Sequence, residues 1–444
     1  MRSFFQPLLR STRARRAAVL AGAAPFAYEI REKLRAPDAI VNEKVLFPIA
    51  DKQRVEKRWT MASASNTSIN RIRISTPGIT YVSVSDSDAT LEPNGTDHQV
   101  GAIRVSADKD ELLDCIEVVP FASNGLEVRF KKDAPEMSGH LLTELVLAHA
   151  VQVNELEASG GGIVVVQDDV LVSDCAHAQL QIQLKGAGEL FVASPCLALN
   201  VKRVVLSVSG SGKLHFDTSS VVAADDVLLQ VAGTGQISTF AKRIHAPLVK
   251  SSIAGAGHVS TFSDDLSTRK LKSSVAGYGK VMHVGRGLAD TQRINITGSG
   301  EVVSRQIESD NATMRVFGLG EATIDVKDAL EATCKGSGVV RYVNAPPKSI
   351  TTSSISLERE RAAVKRANDE AALPKSTLPP RREDAFDDIS VNFDPKSACG
   401  RDSFDVFSAI DAFKSAISGK RDCEIHFHTD AKDESASDTK SYRK

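Results

Sequence analysis

Three residues occupy one register position in successive copies of a repeated segment: His258, Lys280 and Glu301. An imidazole, an ammonium and a carboxylate one repeat apart outline an acid–base group, and parallel-coil polysaccharide lyases and hydrolases set such groups on one sheet face. Those enzymes also gather several carboxylates or basic groups around aromatic sugar platforms. Here the polar residues come singly, so the set is expected to be mixed surface decoration and at most a weak binding surface. Phe240 and Phe262, each seven residues after the first glycine of its repeat, could stack beneath a ligand, although packing in a core or corner is the commoner fate of such rings.

Two other clusters suggest chemistry and then fail its spacing rules. Gly210-Ser-Gly212-Lys213 lacks the four-residue gap between glycines of a phosphate loop, and Leu214 stands where Ser or Thr would be needed. His426-Phe-His428, with Cys423 and Asp430 nearby, has no second cluster to complete a metal site. The six cysteines (115, 175, 196, 334, 399, 423) include no CxxC pair, which leaves neither a disulfide framework nor a zinc site and reads as mostly buried thiols. No catalytic residue, metal or cofactor is therefore expected.

The elements that hold these residues are set by a glycine repeat. Hydrophobic-x-Gly-x-Gly-x-hydrophobic segments carry the pairs Gly186/Gly188, Gly210/Gly212, Gly233/Gly235, Gly255/Gly257, Gly277/Gly279, Gly298/Gly300, Gly318/Gly320 and Gly336/Gly338, after a degenerate copy at Ser159–Val164. First glycines are 24, 23, 22, 22, 21, 20 and 18 residues apart, the length of one solenoid coil and steadily shortening. In an extended strand, residues two apart share a face. Leu206, Val208, Gly210, Gly212 and Leu214 then point to the core, and the column Glu189, Lys213, Gln236, His258, Lys280, Glu301, Glu321 faces water. The glycines serve either a close approach of opposite walls or the dihedrals of a corner. The fold expected is all-β, a right-handed parallel β-solenoid of about eight or nine rungs and on the order of 40 Å long.

Composition agrees with this. Aromatics are 5% of 444 residues, while Gly, Val, Ser and Ala crowd residues 150–345, a mix suited to short strands and tight corners. Residues 66–150 read as a cap with opening strands, 36–65 as a linker, and 151–350 as the solenoid. From 351 to 444 mixed charge replaces strand formers, predicting a flexible tail with a solvated helix over 357–372. Within it, Phe404, Phe407, Ile410, Phe413 and Ile417 recur at helical spacing, so a helix over 403–418 could dock on the solenoid or on a partner, or not form.

A net charge of -1 supplies no field for nucleic acid or an anionic membrane, and no stretch reaches the roughly 20 apolar residues of a membrane-spanning helix. Residues 1–35 hold Arg2, Arg10, Arg13, Arg15 and Arg16 with no acid before Glu29, the pattern of a mitochondrial presequence. A secretory signal with Ala17–Ala24 as its apolar region and an uncleaved basic tail are the alternatives.

The run SGSGKL, AGTGQI, AGAGHV, AGYGKV and TGSGEV, closed by CKGSGVVRYVNAPPKSI and preceded by SNGLEVRFKK, resembles the auto-transporter adhesin head GIN domain family over about residues 75–350. The resemblance implies a β-solenoid-like stack and no catalytic residues. The expected function is thus a non-enzymatic structural or interaction protein with a protein or glycan partner; a carbohydrate-binding or polysaccharide-cleaving β-helix is the alternative.

Overall fold

A computed structural model describes residues 39–46, 55–63, 68–85, 99–122, 124–131, 133–353, 356–359 and 390–393. All of these belong to the first of two units, Met1–Ser403; the second, Phe404–Lys444, lies outside the described residues, as do residues 1–35 and the helix expected over 403–418.

The repeats form a β-solenoid of about nine turns in which strands from successive coils pair in parallel. One coil, Gln236–Gly255, shows how the sequence builds it. Ile237, Thr239 and Ala241 point inward, then Ile244 and Ala246, then Val249, Ser251 and Ile253. The inward parity changes between these three runs, and each change marks a bend of the coil. Stacked coils bring like residues together, as in the column Leu190, Leu214, Ile237, Val259, Val281, Val302, Ala322 and Val340, all buried. No single coil could bury such a face alone.

The shortening of the repeat is absorbed at the bends. Both the first run and the third keep strict register from coil to coil, while register shifts fall between Ser194 and Ala198, between Val222 and Asp226, and between Ser304 and Glu308. Residues are lost where no column of core side chains has to be maintained.

Parity placed both glycines of a pair on one inward face, and the structure corrects this by dividing them. The first glycines, Gly186, Gly210, Gly233, Gly255, Gly277, Gly298, Gly318 and Gly336, all have positive φ, +116° at Gly210 and Gly277, and none is buried. They supply the corner dihedral, and the corner turns them outward. The second glycines, Gly188, Gly212, Gly235, Gly257, Gly279, Gly300, Gly320 and Gly338, are buried in every coil. Only this second set keeps the expected core position, and its burial closes it to any partner. Its task is close approach: a Cβ on Gly235 would lie 2.5 Å from Val208 Cγ1, and one on Gly279 or Gly338 equally close to Ile253 Cγ2 or Val316 Cγ1. In each case the clashing side chain belongs to the preceding coil. Gly188, Gly257, Gly300 and Gly320 are likewise crowded by the coil before, the first by the Gly162 carbonyl and the others by Val231, Val275 and Ile296. The pairing ladder also passes through the corner: the Gly186 carbonyl accepts N–H groups from both Ser211 (3.0 Å) and Gly212 (2.9 Å).

A polar seam crosses the core. Thr239, Ser251, Thr261, Ser273, His283, Gln292 and Ser304 are all buried and inward, with Ser273 Oγ 3.2 Å from His283 Nε2 and Gln292 donating to Ser304.

The flanks depart from expectation in three places. Residues 36–65 are not a plain linker: Ala39–Leu46 and Val55–Ser63 pair antiparallel, and the second continues onto Gln99–Ala107. The alternation of Trp59 and Met61, both buried, is the reason. The cap contains the expected strands and one short helix, Asp110–Asp114, pinned by Leu112 and Leu113. The region after 351 is not uniformly tail, since Ser349–Ser353 and Ser356–Arg359 extend the two sheets and Ser390–Phe393 pairs with Met137–His140. The helix expected from Leu357 therefore does not begin there. A parallel stack ends in an unpaired edge, and edge pairing outweighs the weak helical propensity of a charged segment.

Candidate interaction faces

The structure brings His258, Lys280 and Glu301 together as sequence spacing required, in one column on consecutive coils. Lys280 Nζ lies 2.9 Å from Glu301 Oε2. Glu321, the next carboxylate in the column, is taken by Arg341, and Glu189 by Lys213 at 2.8 Å. Each of these three carboxylates is thus paired with its own cation. Burial, and secondarily the Lys280 charge, push the His258 imidazole below its usual range, against a small opposing effect of Glu301.

The column does not simply face water, and this corrects the parity reading. Two residues further along the same outward face, Phe191, His215, Ser238, Ser260, Met282, Val303 and Thr323 form a column that is buried throughout. Phe191 and His215 stack at 4.8 Å between ring centroids. Phe240 and Phe262 flank this column, half-buried, with centroids 6.2 Å apart and rings tilted by 41°. They pack on each other along the outer face, not in the solenoid interior. Burial pushes His215 down and Asp217, beside it, up.

One exposed feature of the solenoid is its glycine corner. The residue between each pair of glycines, Ala187, Ser211, Thr234, Ala256, Tyr278, Ser299, Leu319 or Ser337, is exposed or half-exposed in every coil. Tyr278 is 77% exposed and Leu319 63%, two coils and so about 10 Å apart with Ser299 between them. Sequence parity already turns Ala187 and Ser211 of this row outward, but it singles out no member of the row as a contact. The signal was available, because one small or variable residue between two glycines repeated in every coil has nowhere to point but outward.

In the cap, a cleft of about 400 Å³ is lined by Cys115, Glu117, Arg129, Lys131, Asp133, Ala134 and Pro135. Arg129 donates to Glu117 at 2.8 Å, and burial raises the Cys115 thiol, the opposite of an activated nucleophile. Cys115 and Cys334 are buried as expected, whereas Cys175 and Cys196 are exposed. Among the described residues no group of His, Cys, Asp or Glu is arranged to hold a metal, and no helix is long and apolar enough to cross a membrane. The His426/His428 cluster lies outside the described residues.

Residues 253–346 match the family described as "Putative auto-transporter adhesin, head GIN domain", a narrower span than the resemblance read from the glycine pairs. Among solved structures, a putative adhesin from Parabacteroides merdae is 14% identical, with 73% of this chain and 97% of that chain covered and a TM-score of 0.33. A putative lipid binding protein from Parabacteroides distasonis is 16% identical, with 73% and 97% covered and a TM-score of 0.33. A putative adhesin from the same organism is 13% identical, with 73% and 98% covered and a TM-score of 0.35. No curated protein matches the sequence.

Proposed function

We infer that this chain, whose residues 253–346 match the head GIN adhesin family, is a non-enzymatic interaction protein that presents the glycine corner of its solenoid to a macromolecular partner. The observation that carries the reading is the exposed corner row, with Tyr278 and Leu319 held on backbone that is hydrogen-bonded coil to coil. A large apolar side chain fixed on a stiff ridge loses little entropy on binding, and tyrosine is a favoured residue at contact centres. Against the polysaccharide-cleaving alternative stand the ion pairs that occupy Glu189, Glu301 and Glu321.

The family description favours a secreted or cell-surface location, the alternative to the mitochondrial address read from residues 1–35. Adhesion can operate only where the corner meets other cells or matrix.

Labelled full chain, added to intact cells of the organism that makes it, should bind, and the double variant Tyr278→Ser, Leu319→Ser should bind at least ten-fold less. External protease on intact cells should remove the native protein. Equal binding by the double variant, confinement to mitochondria, or turnover of a polysaccharide lost in Glu301→Ala would each overturn the reading.

A further inference from the structure

Along the first and second runs, cations meet acids on the adjacent coil, as Lys213 does Glu189 at 2.8 Å, Lys280 does Glu301 at 2.9 Å and Arg243 does Asp265 at 3.3 Å. The outward columns of the third run begin in the same way near the cap, with Arg71 3.3 Å from Glu155 and Lys185 2.7 Å from Glu157. Further along they do not. Lys250, Lys272 and Arg293 occupy one register position on three consecutive coils, and Arg315 stands on the next coil, opposite Asn295 and two residues along the same face. The third-run strands of these four coils, 248–255, 270–277, 291–298 and 311–318, contain no acidic residue. Arg293 and Arg315 are exposed and Lys272 is half-buried. Among the described residues, none of these last three cations has an acid in an ion pair with it.

Stacked strands are about 4.8 Å apart, which sets like charges well inside the roughly 8 Å screening length of physiological salt. Like charges directly across a strand pair destabilise a sheet. The residues between them, Ser274, Asn295, Thr297 and Thr313, carry no charge to offset the repulsion. An external anion offsets it. Register is strict through these coils, so the ladder is straight, and the anion that matches it is a linear polymer lying along the stack. An acidic peptide strand would place its alternate side chains about 6.6 Å apart, out of step with the rungs. Single-stranded nucleic acid is held in a groove with aromatic platforms for successive bases, whereas this is a sheet face with one ring on these four coils. That ring, Phe317, is half-buried beside Arg315, with Lys335 Nζ 5.7 Å from its centroid. Hydroxyl and amide groups between cations, and an aromatic ring at their end, suit a chain of sugars, which alternates anionic groups with hydroxyls and apolar ring faces.

We propose that the outward face of the third run, through Lys272, Arg293 and Arg315, binds a linear polysaccharide that carries carboxylate or sulfate groups. Lys272 and the two guanidinium forks take anionic groups along the ladder, and Phe317 takes the apolar face of a sugar ring. The face shares no residue with the glycine corner. It binds without cleaving, since these coils offer no carboxylate on this run to serve as acid, base or nucleophile.

The test measures binding of the full chain to dextran sulfate, to alginate and to neutral dextran. At least one of the two charged polymers should bind, the tighter of them identifying the anionic group, and neutral dextran should not. The triple variant Lys272→Ser, Arg293→Ser, Arg315→Ser should bind at least ten-fold less. A control that removes as many cations from paired positions, Lys202→Ser, Lys213→Ser, Arg243→Ser, should stay within two-fold of wild type. Binding of neither polymer, equal losses in the two triple variants, or tighter binding of an oligothymidylate or of phosphatidylserine vesicles would overturn the proposal. Because the ladder repels itself, the first variant should unfold at no lower urea concentration than wild type. If it does not fold, Arg293→Ser alone should weaken binding at least three-fold, and unchanged binding would overturn the proposal. The variant Tyr278→Ser, Leu319→Ser should keep its affinity for the charged polymer, which tests this face apart from the corner; loss there would assign the binding to the corner and overturn it here.

Discussion

Gly277 and Lys280 stand three residues apart, yet the fold treats them oppositely. A Cβ at Gly277 would lie 2.5 Å from the Gly255 carbonyl oxygen, on backbone with φ of +116°. Gly277→Val should therefore cost about 3 kcal/mol or more, combining dihedral strain with displacement of the neighbouring coil. Lys280→Ala and Glu301→Ala remove a partly exposed ion pair and should each change stability by about 0.5 kcal/mol or less. Urea denaturation midpoints of the three variants make the comparison, and a Gly277→Val chain as stable as wild type would refute the assignment of the corner. His283 adds a pH dependence. Burial lowers its pKa from 6.5 to about 4, so the folded chain holds the neutral ring and the unfolded chain takes the proton first. Stability is then complete above about pH 6.5 and declines as pH falls toward 4, by about 3 kcal/mol from this residue. Buried His215 and half-buried His258 act with the same sign, while Asp217, raised by burial, opposes them. Denaturation at pH 7 and pH 4.5 should show a smaller difference in His283→Leu than in wild type; equal differences would rule out the buried imidazole as a source.

At the scale of the element, the informative strands are those that no local pattern announces. Ser349–Ser353 is exposed along its whole length, and it contributes through backbone pairing to Ala329–Thr333. Its charge-poor, Ser- and Thr-rich sequence has no apolar alternation to announce a strand, so what places it there is the edge above it. Ser356–Arg359 covers Val339–Tyr342 in the same way. A chain ending at residue 348 should therefore leave the last coil as an open template and self-associate at concentrations where the full chain is monomeric. Sedimentation of the two chains checks this, and a monomeric truncation would mean that the last coil needs no cover. The hairpin of Ala39–Leu46 and Val55–Ser63 carried a signal that the linker reading passed over, since Val55, Lys57, Trp59 and Met61 alternate with polar or small residues as a half-buried strand requires.

In the whole molecule, each coil touches chiefly its two neighbours, so stability is a sum of coils and the interfaces between them, and opening begins at the ends. Amide exchange should be slowest around Leu206, Leu229, Ile253 and Val275, flanked by coils on both sides, and fastest in Ser349–Ser353. Uniform protection from cap to last coil would instead indicate a single cooperative block.

The sequence by itself determined the solenoid, its approximate number of coils, the positions of the corners and the column that joins His258, Lys280 and Glu301. These follow from a period and a parity, and a parallel stack leaves only one register in which glycine meets glycine. The tertiary structure divided each glycine pair into an outward corner and a buried contact, because parity holds along a strand and fails where the chain turns. It decided that the column from Phe191 to Thr323 on the outward side of the first-run sheet is buried, since parity states which way a side chain points and not how much water it meets. It decided as well which carboxylates are neutralised, since Glu301 and Glu321 look alike in the repeat and only stacking chooses Lys280 and Arg341 as their partners. And it decided where the chain re-enters the fold after residue 351, since pairing at a sheet edge depends on a vacant backbone ladder, a property of the assembled stack that no local run of residues carries.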